Sequence, residues 1–205
     1  MAQNDSVERT SRPVTVARPS LHHVNLKTAR LEEMIAWYGL VVGMRPTYVY
    51  PGGAWLSNDD ANHRLALLYT PAIYDDPDKV VHAGMHHTAF EYTALDELLG
   101  TYLRLKDSGE VPHSVLDHGM TLSFYYLDPD GNSVELQVDL FGDWARSTEF
   151  MHGERFNEDP IGTYVDPDQL IAAWREGVEL EELHRRAYHG DFAPAEPQDL
   201  RVPFA

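Results

Sequence analysis

One succession of elements occurs twice in this chain, and that repetition restricts its fold more than any other feature. From Leu21 onward, His23, Val24, Asn25 and Leu26 alternate as a strand does, and Leu31, Met34, Ile35, Tyr38 and Val42 then recur at helical spacing up to a helix-ending Gly43. Three short strand-like runs follow, about 44–50, 54–58 and 64–70, set apart by the turn signals Pro51-Gly52-Gly53 and Asn58-Asp59-Asp60. The order is βαβββ. It starts again at Met85-His86-His87-Thr88-Ala89-Phe90, runs through a helix of about 94–107 closed near Gly109, and continues in strands near 114–118, 120–127 and 133–139. Laid on each other through His23-Val-Asn-Leu and His87-Thr-Ala-Phe, 64 residues apart, the copies share their order of elements more than their letters. The repetition predicts an α+β fold with two βαβββ modules, about 20–72 and 84–140, in one unit spanning 20–140.

The flanking segments differ in kind. Residues 1–19 lack apolar periodicity and carry Pro13 and Pro19, which suits a mobile arm or a strap over a neighbouring surface. Residues 141–205 form an extension, loop-rich up to one helix of about 167–188 and a Pro-containing tail. Leu170, Ile171, Trp174, Val178 and Leu183 fall on one side of that helix. Such a stripe must be buried, over the open end of the central cavity or against a second subunit, and the second option favours an even-numbered homo-oligomer.

Composition removes whole classes of function. The 205 residues include no cysteine, so a bound metal must be held by His nitrogen and carboxylate oxygen, which favours a catalytic over a structural site. Lys and Arg number 16 against 33 Asp and Glu, and the net charge of −17 repels phosphate backbones and anionic lipid; nucleic acid and membrane are not expected partners. The first twenty residues are polar, and no run of about 18 apolar residues occurs anywhere, so a cytoplasmic protein is the expectation.

Two His and one carboxylate on one side of a metal, with open positions opposite, form the ligand set of a non-haem Fe(II) that must bind oxygen. His23 and His87 open the first strand of each copy, and equivalent places in two facing halves can converge on one point. In Ser133-Val134-Glu135-Leu136-Gln137, alternation puts Glu135 and Gln137 on one face and Val134, Leu136 and Val138 on the other. A carboxylate on the inside of a curved sheet needs a cation or a donor. A register shifted by one would make His22 and His86 the ligands instead.

The stretch His118-Gly-Met-Thr-Leu-Ser-Phe124-Tyr125-Tyr-Leu-Asp128-Pro129-Asp-Gly131-Asn-Ser-Val-Glu135 resembles the signature of type I extradiol dioxygenases. In that signature a His precedes an apolar residue and Tyr, then Asp-Pro-x-Gly, then a ligand Glu. Leu116 departs from it, standing where Gly, Asn, Thr, Ile or Val is usual. Asn62-His63-Arg64-Leu65-Ala66-Leu67 also resembles the family segment that carries a catalytic histidine. The resemblance runs from about residue 21 to 139 and implies the paired βαβββ fold of the vicinal oxygen chelate superfamily, a curved sheet around a metal site. Two modules match its small one-domain members rather than the four-module enzymes.

For chemistry, the resemblance implies Fe(II), with Mn(II) accepted by the same ligands, held by His23, His87 and Glu135. It implies a catechol-type aromatic substrate and O2 as partners, and ring cleavage beside the diol. His63 would move protons, while His118 and Tyr125 would donate hydrogen bonds to the bound catechol. A metal-dependent isomerase or thiol transferase of the same superfamily is a competing reading, but it usually needs a fourth carboxylate or amide ligand that the strand after His63 does not offer. A metal-free binding module needs no ligand triad. Trp37, Tyr48, Tyr50 and Trp55 suit either a ring-binding pocket or the core.

Overall fold

The computed structural model describes residues 17–203. The greater part of the 1–19 arm therefore lies outside the described residues. The first module runs β1 (Val24–Thr28), α1 (Leu31–Val42), β2 (Arg45–Tyr50), β3 (Gly53–Ser57) and β4 (Leu65–Tyr69). The second runs β5 (His87–Tyr92), α2 (Leu95–Asp107), β6 (Ser114–Asp117), β7 (Thr121–Leu127) and β8 (Ser133–Asp139). Each forms its own sheet, ordered β1-β4-β3-β2 and β5-β8-β7-β6, so the first and last strands of a module lie side by side and parallel.

The helices form where the apolar spacing demands and stop where the chain allows a left-handed residue. Met34, Trp37, Tyr38 and Val41 are buried on one side of α1, and Gly43 ends it at φ 68° with its N–H on the Tyr38 carbonyl. In α2 the buried face is Leu95, Leu98, Leu99, Tyr102 and Leu105, with Asp96 and Glu97 at the start and Arg104 and Lys106 at the end, as the helix dipole favours. These faces join Leu56, Leu67, Phe124, Val134 and Leu136 in one core. Leu99→Ala in that core costs about 2–5 kcal/mol. Trp37 is core; Tyr48 and Trp55 are exposed.

Two contacts lock the modules together through the β7–β8 turn. The Tyr38 hydroxyl donates to the buried Asp128 carboxyl (3.1 Å), and Arg30 reaches Asp130 (2.6 Å) as well as Asp75. Asp128 also accepts from the backbone N–H groups of Asp130 and Asn132 and from the Asn132 side chain, so the turn that delivers Glu135 is anchored to α1 as well.

The carboxy-terminal extension differs from expectation. Its loop-rich part contains α3 (Trp144–Met151), α4 (Glu154–Glu158) and β9 (Thr163–Tyr164), and β9 adds to the second sheet beside β6. The single helix over 167–188 is two, α5 (Pro167–Arg175) and α6 (Leu180–Tyr188), because Gly177 takes φ 85° between them. Asp166 caps α5 through the N–H groups of Asp168 and Gln169. The apolar stripe is covered within the chain, since Leu170, Ile171 and Leu183 belong to the main core. Trp174 and Val178, partly buried, pack against the same core. Among the described residues no helix is long and apolar enough to cross a membrane.

Candidate metal centre and active site

Strand register brings the second module's site residues together. In the parallel β5–β8 ladder Ala89 is opposite Glu135, so His87, two residues before Ala89, is on the same face as Glu135. Ala89 is small enough to let the two side chains meet, and His87 Nε2 lies 3.0 Å from Glu135 Oε2. Tyr125 is directly opposite Glu135 in the antiparallel β7–β8 ladder and donates its hydroxyl to Oε1 at 3.0 Å. His118 Nε2 lies 2.9 Å from the Tyr125 hydroxyl, and His118 Nδ1 donates to the Ile161 carbonyl at 2.5 Å. In a neutral His118 that Nδ1–H leaves Nε2 as an acceptor, so one tyrosine hydrogen stands between an imidazole and a carboxylate.

The electrostatics follow from these contacts. Burial pushes the Glu135 carboxyl up, but hydrogen bonds from His87, Ser123 and Tyr125 outweigh it and hold the group below the ordinary range. Burial, then the neighbouring Glu135, drives the Tyr125 hydroxyl far above its usual value, so it remains a donor at any working pH. His63 is lowered by partial burial and then by His23 and His22, so it is a neutral imidazole near pH 7.

The first module supplies a second group. His23 and His63 precede the adjacent strands β1 and β4, and their rings lie 4.4 Å apart. His22, His23 and His63 each offer a ligand nitrogen within 4.8 Å of the others, and Trp55 stacks on His63. The six predicted residues thus form two sets, His87–Glu135–Tyr125–His118 and His23–His63. His23 and His87 line one cavity of about 1160 Å³ with Leu21, Met85, Phe90 and Trp144. As for register, His86 turns its Nε2 to the Leu200 carbonyl (2.9 Å) while His87 faces Glu135.

His87 and Glu135 have the spacing of two ligands of one metal ion, while His23 lies in the other group and is not gathered with them. Two ligand atoms each about 2.1 Å from an ion and at right angles stand about 3.0 Å apart, the separation of His87 Nε2 and Glu135 Oε2. Glu135, 5% exposed, is a carboxylate that needs positive partners, and imidazole with carboxylate suits Fe(II) or Mn(II).

Sequence reasoning passed over two participants. His113 bridges Ser133 (3.1 Å) and the Asp199 carbonyl (2.7 Å). His184 Nδ1 lies 2.9 Å from the fully buried Asp117. His113 and His184 meet partners 86 and 67 residues away, so no local pattern announces them.

The sequence pattern of the Glyoxalase/Bleomycin resistance protein/Dioxygenase superfamily matches residues 20–136, more than half of the chain and all six site residues. The chain belongs to this superfamily. Within it, the chain is 40% identical over 170 residues to biphenyl-2,3-diol 1,2-dioxygenase 3 of Rhodococcus globerulus, covering 83% of this chain and 90% of that protein. It is 36% identical over 184 residues to biphenyl-2,3-diol 1,2-dioxygenase 2 of the same organism, covering 90% and 96%. Among solved structures, a glyoxalase/bleomycin resistance protein/dioxygenase from Nocardioides matches with a TM-score of 0.50 and 25% identity, over 63% of this chain and 89% of that one. This superfamily member therefore shares its length with the two dioxygenases, extension included, and its paired-module fold with the third protein.

Proposed function

We propose that the protein is an extradiol dioxygenase that opens the ring of a catechol beside its diol and places both atoms of O2 in the product, with Fe(II), or Mn(II), held by His23, His87 and Glu135. The observation that carries this reading is the chain of contacts from His87 through Glu135 and Tyr125 to His118, in a sequence 36–40% identical over most of its length to two biphenyl-2,3-diol dioxygenases. When bound, the metal supplies Lewis acidity toward the diol and a path for electrons from diol to oxygen. Tyr125 turns its one hydroxyl hydrogen from Glu135 to the charge that develops on the diol oxygen, at a buried position. His63, neutral near pH 7, accepts the diol proton and returns it as the ring opens. His118 orients Tyr125.

A neutral aryl or alkyl catechol suits a chain with a net charge of −17, and the relatives point to a biphenyl-type diol. Catechol plus O2 then gives a ring-opened hydroxy-dienoic acid with an aldehyde or ketone at the other end, with no atom lost. The test is anaerobic reconstitution with Fe(II), followed by air and a panel of catechols including 2,3-dihydroxybiphenyl. One O2 consumed per diol and a yellow product are expected; no oxygen uptake with any diol would remove the assignment.

A further inference from the structure

We infer that His184, on α6, is a positioning residue for His118, acting through Asp117, and this rests on the dioxygenase reading above. Asp117 ends β6 with a fully buried carboxyl group, which needs a hydrogen-bond donor for each oxygen. One oxygen accepts from the Gly119 backbone N–H at 2.8 Å, and the other is paired with His184 Nδ1 at 2.9 Å. The two donors fix Asp117 and the residues after it, and His118 is the next residue. His118 Nδ1 is in turn held by the Ile161 carbonyl.

The surroundings are tight enough to make this arrangement stiff. A Cβ at Gly162 would stand 2.2 Å from the Asp117 carbonyl oxygen and 2.8 Å from the His118 Cα, so the segment before β9 closes directly on this backbone. A Cβ at Gly119 would stand 2.6 Å from the Phe150 ring and 2.8 Å from that of Tyr188. Residues 117–119 are therefore gripped by the extension from three directions, and among the described residues His184 supplies the one side-chain donor to the carboxyl group. None of these gripping residues falls in 20–136, the stretch matched by the superfamily.

Remove the His184 donor and one Asp117 oxygen is left unpaired in the interior, a penalty relieved only by movement of 117–119. That movement carries the His118 ring away from Ile161 or Tyr125. The test compares wild type, His184→Ala and His184→Asn, since the Asn amide nitrogen sits where imidazole Nδ1 does. The first readout needs neither metal nor turnover: the ring Nδ1–H of His118, observed by nitrogen-labelled NMR of the metal-free protein, should be slowly exchanging in wild type and His184→Asn and lost in His184→Ala. In the iron-loaded enzyme, His184→Ala should lower kcat about 10-fold or more with KM for the diol and iron content little changed, and His184→Asn should restore it. An unchanged His118 proton in a folded His184→Ala, or a loss of kcat shared equally by both variants, overturns the role of His184. A wild type that shows the slow proton but oxidises no diol sinks the dioxygenase reading and leaves the Asp117–His184 grip standing.

Discussion

At the scale of single residues, the proposed roles rest on different contacts. His87 and Glu135 face each other at 3.0 Å, Tyr125 donates to Glu135, and the His63 ring packs against that of His23. Alanine at His23, His87 or Glu135 should each lower iron content well below one per chain in metal analysis while circular dichroism stays that of the folded protein. Full iron in any of the three removes that residue from the ligand set. His63→Ala should keep its iron and lose about 10²-fold or more in kcat. The sign of the pH dependence follows from the lowered pKa of His63: protonation, which disables the base, sets in below the ordinary 6.5, so wild-type kcat/KM should hold down to that pH and fall beneath it. A pH profile of His63→Ala should lack that acid limb, and an identical limb in the variant would assign it to another group.

At the scale of elements, the hairpin turn does more than its sequence announces. Asp128-Pro129-Asp130-Gly131 reads as a plain turn that delivers Glu135, yet Asp128 is also the buried acceptor for Tyr38. Burial raises the Asp128 carboxyl above its usual range. Asp128→Ala strands the Tyr38 hydroxyl in the interior and frees the turn, and should cost about 2–4 kcal/mol in a urea titration. A loss under about 0.5 kcal/mol would show that the modules are held otherwise. The paired βαβββ order was legible because periodicity and turn residues are local, and α1 stops at the residue its glycine marks. The Tyr125–Glu135 pairing was not read from the sequence, although both residues flank one short hairpin whose turn sets their register. The break at Gly177 was not legible, because an apolar stripe at 3.6-residue spacing continues past it, and only the left-handed backbone shows where the helix turns. His184 and His113 were invisible for a different reason: a histidine's partner across a fold leaves no trace beside it in the chain.

At the scale of the whole molecule, the extension is a structural part of the second module. Val165, Leu170, Ile171 and Leu183 lie in the main core, and β9 lengthens the sheet that carries Glu135. Truncation after Val165 removes the last three of these and the His184 donor at once. The shortened chain should lose its cooperative thermal transition and bind a hydrophobic dye, well beyond a mere change in kcat. A sharp transition within a few degrees of the full-length protein would show that the modules stand alone.

The side-by-side placement of first and last strands has a consequence for the order in which the chain acquires its shape. His87 and Glu135 touch although 48 residues separate them, and β1 meets β4 across a similar span, whereas β2–β3 and β7–β8 join immediate neighbours. Bringing distant segments together sacrifices chain entropy before any contact rewards it, so the neighbouring hairpins should form first and the parallel ladders last. Tyr125 and Glu135 then meet early, and His87 and His23 arrive late. In stopped-flow kinetics, Leu122→Ala in β7 should slow refolding, while Leu26→Ala in β1 should chiefly hasten unfolding; the opposite assignment would reverse the sequence of events. On this schedule the proposed ligand set of His23, His87 and Glu135 is complete only once the last two ladders have closed.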